Sequence, residues 1–201
     1  MEFRLTAHEQ LESPAGYASN SELVFGEIDL RVHPQETDFY LKKALFASII
    51  SLPVSDLYFF NSAMDIVAGL DSNPNEDKEE DLAFRLKAMF GTSIKPASWI
   101  QPYFLAGVDI YASPKYERKH FRTDPLIGAE LGFITTAGIW KNKIAASALQ
   151  SPFDKDHLRI QASVNEGFNI AQNISLKGGY SFNMDWGEWW HEFSVSFNAY
   201  F

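Results

Sequence analysis

The sequence predicts an all-β fold, an antiparallel transmembrane β-barrel of the outer-membrane type with about 10–12 strands. Three observations predict it. Apolar and polar residues alternate through most of the chain, and a period of two is the mark of a strand with one apolar face. The alternating runs reach roughly the 9–11 residues that a tilted strand needs to cross a bilayer, against a mode of about 5–6 in soluble sheets. Aromatic residues make up 15% of the chain and gather near strand ends, where a water–lipid interface favours them.

The first run sets Phe3, Leu5 and Ala7 against Arg4, Thr6 and His8. In the second, Val24, Ile28, Leu30 and Val32 oppose Glu27, Asp29 and Arg31. Residues 39–51 are mixed; Phe60, Met64, Ile66 and Ala68 then oppose Asn61 and Asp65. Leu82, Phe84, Leu86, Ala88 and Phe90 oppose Arg85 and Lys87. Ile100, Phe104, Ala106, Val108 and Ile110 oppose Gln101, Tyr103, Gly107 and Asp109. Ile127, Ala129, Leu131 and Phe133 oppose Gly128, Glu130 and Gly132. Residues 139–150 alternate less clearly, with Lys141 and Lys143 on one face. Leu158, Ile160, Ala162 and Val164 oppose Arg159, Gln161, Ser163 and Asn165. Ile174, Leu176, Tyr180 and Phe182 oppose Ser175, Lys177, Ser181 and Asn183. The last run is the sharpest. Trp189, His191, Phe193, Val195, Phe197, Ala199 and Phe201 share one face, and Glu188, Trp190, Glu192, Ser194, Ser196, Asn198 and Tyr200 lie on the other, mostly polar one.

These runs amount to about eleven strands, whereas bacterial barrels have an even number, with short periplasmic turns and longer outer loops. With Phe201 ending a descending strand, the 71–81, 113–125, 151–157 and 185–188 connections fall outside. Those near Pro96, Gly138 and Ala171–Asn173 fall in the periplasm. The parity predicts one more strand before Met1, or a miscount within 35–60. Residues 1–201 read as a single barrel domain, the C-terminal part of a longer chain, because Met1–Thr6 lacks the basic and apolar regions of a signal peptide.

Composition narrows the function classes. A net charge of −9 argues against nucleic acid as a partner. The absence of cysteine removes disulfides, thiolate catalysis and cysteine-ligated metal. No run approaches the roughly 18 apolar residues of a membrane helix.

The polar faces supply the candidate site, an inward-facing network of Arg4, His8, Glu27, Asp29, Arg31, Asp65, Arg85, Lys87, Asp109, Glu130 and Arg159. Asn61, Lys141, Lys143 and Lys177 share that face. Interleaved charges of both signs are expected to pair and fill a narrow lumen rather than line an open pore. His8, beside Glu27, Asp29 or Glu130, is the one weak catalytic candidate, as half of a His–carboxylate pair; a lumen hydrogen bond is the favoured explanation. His33, His120 and His157 read as solvated loop residues, and His191 as an interfacial residue on the lipid face. No metal site or cofactor is expected. Trp189, Phe193, Phe197 and Phe201 read as membrane-interface residues and as the C-terminal signal to the barrel-assembly machinery. Outer-membrane lipid and lipopolysaccharide are the expected partners. The basic 115–122 loop, with Lys115, Arg118, Lys119 and Arg122, suits lipopolysaccharide phosphates or simple solvation.

Three segments carry a family resemblance: Glu2–Tyr17, Phe25–Val32 (FGEIDLRV) and Ile49–Pro53 (IISLP). They resemble the C-terminal barrel-like region, of unknown function, of bacterial proteins with a Lnb-type N-terminal periplasmic domain. The chain departs from that pattern at His8-Glu9, where the family has His-Asp, and at Ser62-Ala63, where it has Ser-Trp. No functional residue is therefore carried over. In such proteins the upstream domain resembles a Cys/His hydrolase, so the resemblance implies the membrane portion of a larger envelope protein. The expected function is a membrane anchor or structural module for that periplasmic domain. The alternatives are a small solute pore or transporter, and an envelope- or lipid-modifying barrel enzyme using His8.

Overall fold

The period-two runs become strands. The computed structural model describes residues 2–8, 20–32, 39–56, 58, 60–74, 80–113, 123–171 and 174–199. The strands are β1 (Glu2–His8), β2 (Ser21–Val32), β3 (Phe39–Ser51), β4 (Ala63–Pro74), β5 (Glu80–Ser93), β6 (Ile100–Ala112), β7 (Thr123–Ala137), β8 (Trp140–Gln150), β9 (Leu158–Ala171), β10 (Ile174–Asp185) and β11 (Glu188–Ala199). All eleven join one sheet in chain order, each antiparallel to the next. The sheet curls into a half-barrel, with Lys42 of β3 and Trp190 of β11 lining the same cavity. None of the described pairings joins β1 to β11.

The two faces differ in an unusual sense. On β5 and β6, Ala83, Met89, Tyr103, Leu105, Asp109 and Tyr111 point inward and are buried, while Phe84, Leu86, Phe90 and Phe104 point outward and are exposed. Asp109 is 1% exposed and Val195 83%. The charged side chains of these strands lie inside, beside buried apolar ones, and the outward side chains are exposed hydrocarbon.

The concave interior has two halves. The connections 52–62, 94–99 and 138–139 mark its lower end, and 151–157 and 186–187 its upper end. In the lower half the 52–62 segment folds inward. Leu52 packs with Ala63, Met89, Tyr103, Leu105, Ile134 and Ala145 as an apolar plug. Its backbone is fastened to the wall. Gln101 Nε2 donates to Leu52 O at 2.7 Å, Ser93 Oγ donates to Pro53 O at 2.9 Å, and Ser55 N donates to Ser93 O at 2.8 Å. Asn61, expected on a strand, instead lies in this connection, where its backbone N–H and Nδ2 donate to Ser55 Oγ and Val54 O. A plug of this kind makes one lower connection long, so loop length does not alternate as simply as the sequence suggests.

Residues 39–51 look mixed for a physical reason. Register shifts fall at Asp29/Leu30 on one side of β3 and at Leu45/Ala47 on the other. A bulge adds a residue and reverses side-chain parity beyond it, so a continuous strand loses its simple alternation. Two hairpins turn tightly. Trp186 (φ 53°) and Gly187 (φ 78°) are both left-handed, as a type I′ turn requires.

Midway along β6 and β7, Gly107 pairs with Gly128. A Cβ on Gly107 would run into Ala88 O and lie 2.7 Å from Met89 Cα. Both obstacles are backbone, so relief requires moving a strand. Gly107→Val is therefore expected to destabilise the fold by about 1–3 kcal/mol, read as a lower midpoint in denaturant unfolding. An unchanged midpoint would contradict the close approach.

Candidate functional site

Above the plug, the inner face is a ladder of ion pairs. In its middle tier Lys87 Nζ on β5 reaches Asp65 on β4 and Glu130 on β7, the latter at 3.3 Å. Tyr103 OH donates to the other oxygen of Glu130 at 2.8 Å. Lys143 lies 5.7 Å from the centre of the Tyr103 ring. To the side, Lys43 on β3 pairs with the buried Glu27 on β2 at 2.8 Å.

The upper tier centres on two arginines. Arg85 donates through Nε and Nη2 to the two oxygens of Asp109, at 3.0 and 2.8 Å, a bidentate fork on β6. Its Nη1 reaches Asp71 on β4 at 2.9 Å. Arg159 on β9 binds Asp185 on β10 and lies 3.7 Å from Asp109. Tyr111 sits between them, its ring centre 5.4 Å from the Arg85 guanidinium and 4.4 Å from that of Arg159. Lys42, Asp71, Arg85, Asp109, Tyr111 and Arg159 line a cavity of about 130 Å³.

At the top, the network ends on His157. This histidine, read from sequence as a solvated loop residue, is 1% exposed. Nε2 lies 2.7 Å from Asp185 Oδ1. Nδ1 lies 2.7 Å from Asp124 Oδ2, close enough for an ion pair but outside hydrogen-bond alignment. The ring stacks on Trp186 at 3.7 Å and 12°. Burial works against the imidazolium, but the Asp124 and Asp185 carboxylates outweigh it and hold the pKa above the ordinary histidine value.

The structure thus brings Asp65, Lys87 and Glu130 together in one cluster and Arg85, Asp109 and Arg159 in another. Asp29 is half-buried and lines a separate cleft beside β9–β11. Lys141 and Lys177 are buried. Arg4, His8 and Arg31 sit on β1 and β2, but their side chains lie outside the described residues, as do Phe201, His33, His120 and the 115–122 loop. Trp189, Phe193 and Phe197 are exposed. His191 is exposed too, with Nδ1 2.8 Å from Tyr180 OH.

A family model matches residues 1–200. The chain belongs to the family described as Domain of unknown function (DUF7840). No curated protein and no solved structure matches it.

Within this DUF7840 domain Arg85 and Arg159 of the upper tier each face carboxylates, and Lys42 donates to Ser72 O at 3.1 Å. That chemistry holds strands together: Arg85 joins β4, β5 and β6, and Arg159 joins β9, β10 and β6. Breaking a buried pair leaves its partner uncompensated. Arg85→Ala, which strips Asp71 and Asp109 of the Arg85 guanidinium and leaves Asp109 the Arg159 contact at 3.7 Å, is expected to cost about 3–5 kcal/mol in denaturant unfolding. A loss below about 1 kcal/mol, the range of surface pairs, would contradict the buried network.

The pH response has a defined sign. A raised folded pKa means that the His157 contribution is fully present below the unfolded value of about 6.5 and is lost as pH rises through the folded value. The unfolding midpoint is expected to fall across that alkaline-side window, and His157→Gln to flatten the fall. A wild-type profile that matches the variant's would show that His157 carries no such linkage.

Proposed function

We propose that this domain is an outer-membrane β-barrel whose interior is sealed, serving as the membrane anchor of a larger envelope protein. The observation that carries the reading is the inverted polarity of the sheet. Phe46, Phe90, Leu131, Phe193, Val195 and Phe197 are each more than half exposed on strands whose opposite face is charged. Each such side chain gains about 1.5–3 kcal/mol on leaving water. A band of them around the wall is therefore costly in water and favourable in hydrocarbon.

The ends support the same reading. Tyr58, Phe60, Trp99 and Ile139 are exposed at the lower end, and Phe153 and Trp189 at the upper. Amphipathic rings at both rims suit the two interfaces of a bilayer. In this arrangement the lower end, where β11 finishes, faces the periplasm. There it would meet an upstream domain of the Lnb type that the sequence resemblance implies.

The interior favours an anchor over a solute pore. The apolar plug around Leu52 closes the lower half, and the matched charges of Arg85, Asp109 and Arg159 cross the upper half. Between those charges a cavity of about 130 Å³ remains, room for a few waters at the liquid share of about 30 Å³ each; a wider polar cleft of about 780 Å³ lies to one side of them, beside β9–β11.

The test uses the chain refolded with phosphatidylcholine vesicles carrying bromine on their acyl chains. Tryptophan fluorescence is expected to be quenched, the unboiled protein to migrate differently from the boiled one, and planar bilayers to stay closed across voltage. A chain that is monomeric in detergent-free buffer and unquenched by the lipid would defeat the membrane reading. Steady conductance would defeat the sealed interior.

A further inference from the structure

We infer that the outward face of β8–β10 carries a site for the primary ammonium headgroup of a phospholipid, with Glu166 as its carboxylate. This rests on the membrane reading above. The first ground is where Glu166 stands. Arg159 and Gln161 line the inner cavity, and β9 keeps register with β8 from Leu158 to Phe168. Period two therefore turns Glu166 outward, together with Val164 and Phe168. On β6–β11 it is the one Asp, Glu, Lys or Arg at an outward position among the described residues. Apolar rows flank it. Ile144, Val164 and Tyr180 pair above it, and Trp140, Phe168 and Leu176 below. A carboxylate set between such rows on a lipid-facing wall is costly, and residues of that kind mark function.

The second ground is unmet hydrogen bonding around that carboxylate. Asn142 of β8 donates through Nδ2 to Glu166 Oε1 at 3.3 Å, a long contact. No described cation lies within ion-pair distance of Glu166. Asn142 is 7% exposed, and its own Oδ1 is buried without a partner. Two residues away on the same face, Trp140 Nε1 is a buried donor that also lacks one. The patch therefore calls for N–H donors at Glu166 and Asn142 and an acceptor at Trp140. An aminoethyl phosphodiester carries both, in its ammonium and its phosphate oxygens.

The third ground is space at a suitable depth. Gly178 of β10 pairs with Glu166 on one side and Val195 on the other. A Cβ on it would meet nothing within 4 Å, so the wall has a notch beside the carboxylate, and Val195 across it is 83% exposed. The notch lies near the lower rim. The β7–β8 hairpin closes at Ala137↔Trp140, and Asn142 stands one pleat above that pair. With this end toward the periplasm, as proposed, the site falls at the headgroup layer of the facing leaflet, beside the Trp140 ring. Val164, Tyr180 and Phe193 rise from it as an apolar track for acyl chains. A second copy of this chain would bring the same carboxylate and no outward Lys or Arg from β6–β11. An amphiphile with a primary ammonium meets the charge, the hydrogen bonds and the hydrocarbon together.

The experiment uses the full chain folded in maltoside micelles, with folding checked by gel migration before heating. Dioleoyl phosphatidylethanolamine, phosphatidylcholine and phosphatidylglycerol are offered at equal concentration, and retained lipid is counted by native mass spectrometry. Phosphatidylcholine keeps the positive charge but has methyl groups in place of the N–H donors. The wild-type chain is expected to retain phosphatidylethanolamine at least about fivefold over either of the others. Glu166→Gln, which keeps the shape and the bond to Asn142, is expected to bring that retention down to the phosphatidylcholine level. Gly178→Leu, which fills the notch, is expected to do the same. Equal retention of phosphatidylethanolamine and phosphatidylcholine by the wild-type chain, or a preference that survives Glu166→Gln, would overturn the inference. Quenching in brominated vesicles is read alongside. A chain that inserts without a headgroup preference defeats the site alone, and one that fails to insert defeats the membrane reading and the site with it.

Discussion

Charge matched across strands is the interaction on which the curvature of this sheet depends. Ladder hydrogen bonds link each strand to its neighbours whether the sheet is flat or curled. The ion pairs are more demanding. Lys87 on β5 reaches Glu130 on β7, and Arg159 on β9 approaches Asp109 on β6. Contacts between non-adjacent strands are chords, and a chord exists only when the wall is bent. The reverse also holds, because these charges are tolerable away from water only while the bend keeps their partners close. Curl and charge pairing thus stand or fall together.

The interior divides its work between two kinds of chemistry. Around Leu52 the filling is hydrocarbon and owes its stability to packing, which depends on shape. Above it the filling is ionic and aromatic, and owes its stability to direction and protonation state. The boundary runs through Tyr103, whose ring belongs to the apolar cluster and whose hydroxyl binds Glu130. One amphipathic side chain thus spans the two regimes, its ring in the apolar filling and its hydroxyl in the ionic one.

Much of the sheet was legible in the sequence because alternation is local. The faces of β5, β6 and β11 follow directly from period two. The inward placement of Asp65, Arg85, Lys87, Asp109, Glu130 and Arg159 follows from the same rule. What could not be read depends on distant neighbours. His157 stands in a polar segment, Asp154-Lys155-Asp156, that reads as solvated. Its burial is due to Asp124, Asp185 and Trp186, and no spacing near residue 157 announces them. Leu52 was equally hidden, since a connection that folds inward has the same local composition as one that folds away. β3 was blurred by bulges, which erase parity without ending a strand.

The plug has a consequence for the mechanics of the wall. Its partners come from β3 through β8: Ile50, Ala63, Met89, Tyr103, Leu105, Ile134 and Ala145. Among the described residues none comes from β9, β10 or β11. One flank is therefore braced from within by packed hydrocarbon, while the other is held by its ladders and by Arg159, Asp185 and His157. A displacement of β9–β11 would therefore strain ladders and ion pairs before it disturbed the packed hydrocarbon, whereas a displacement of β4–β8 would unpack it directly.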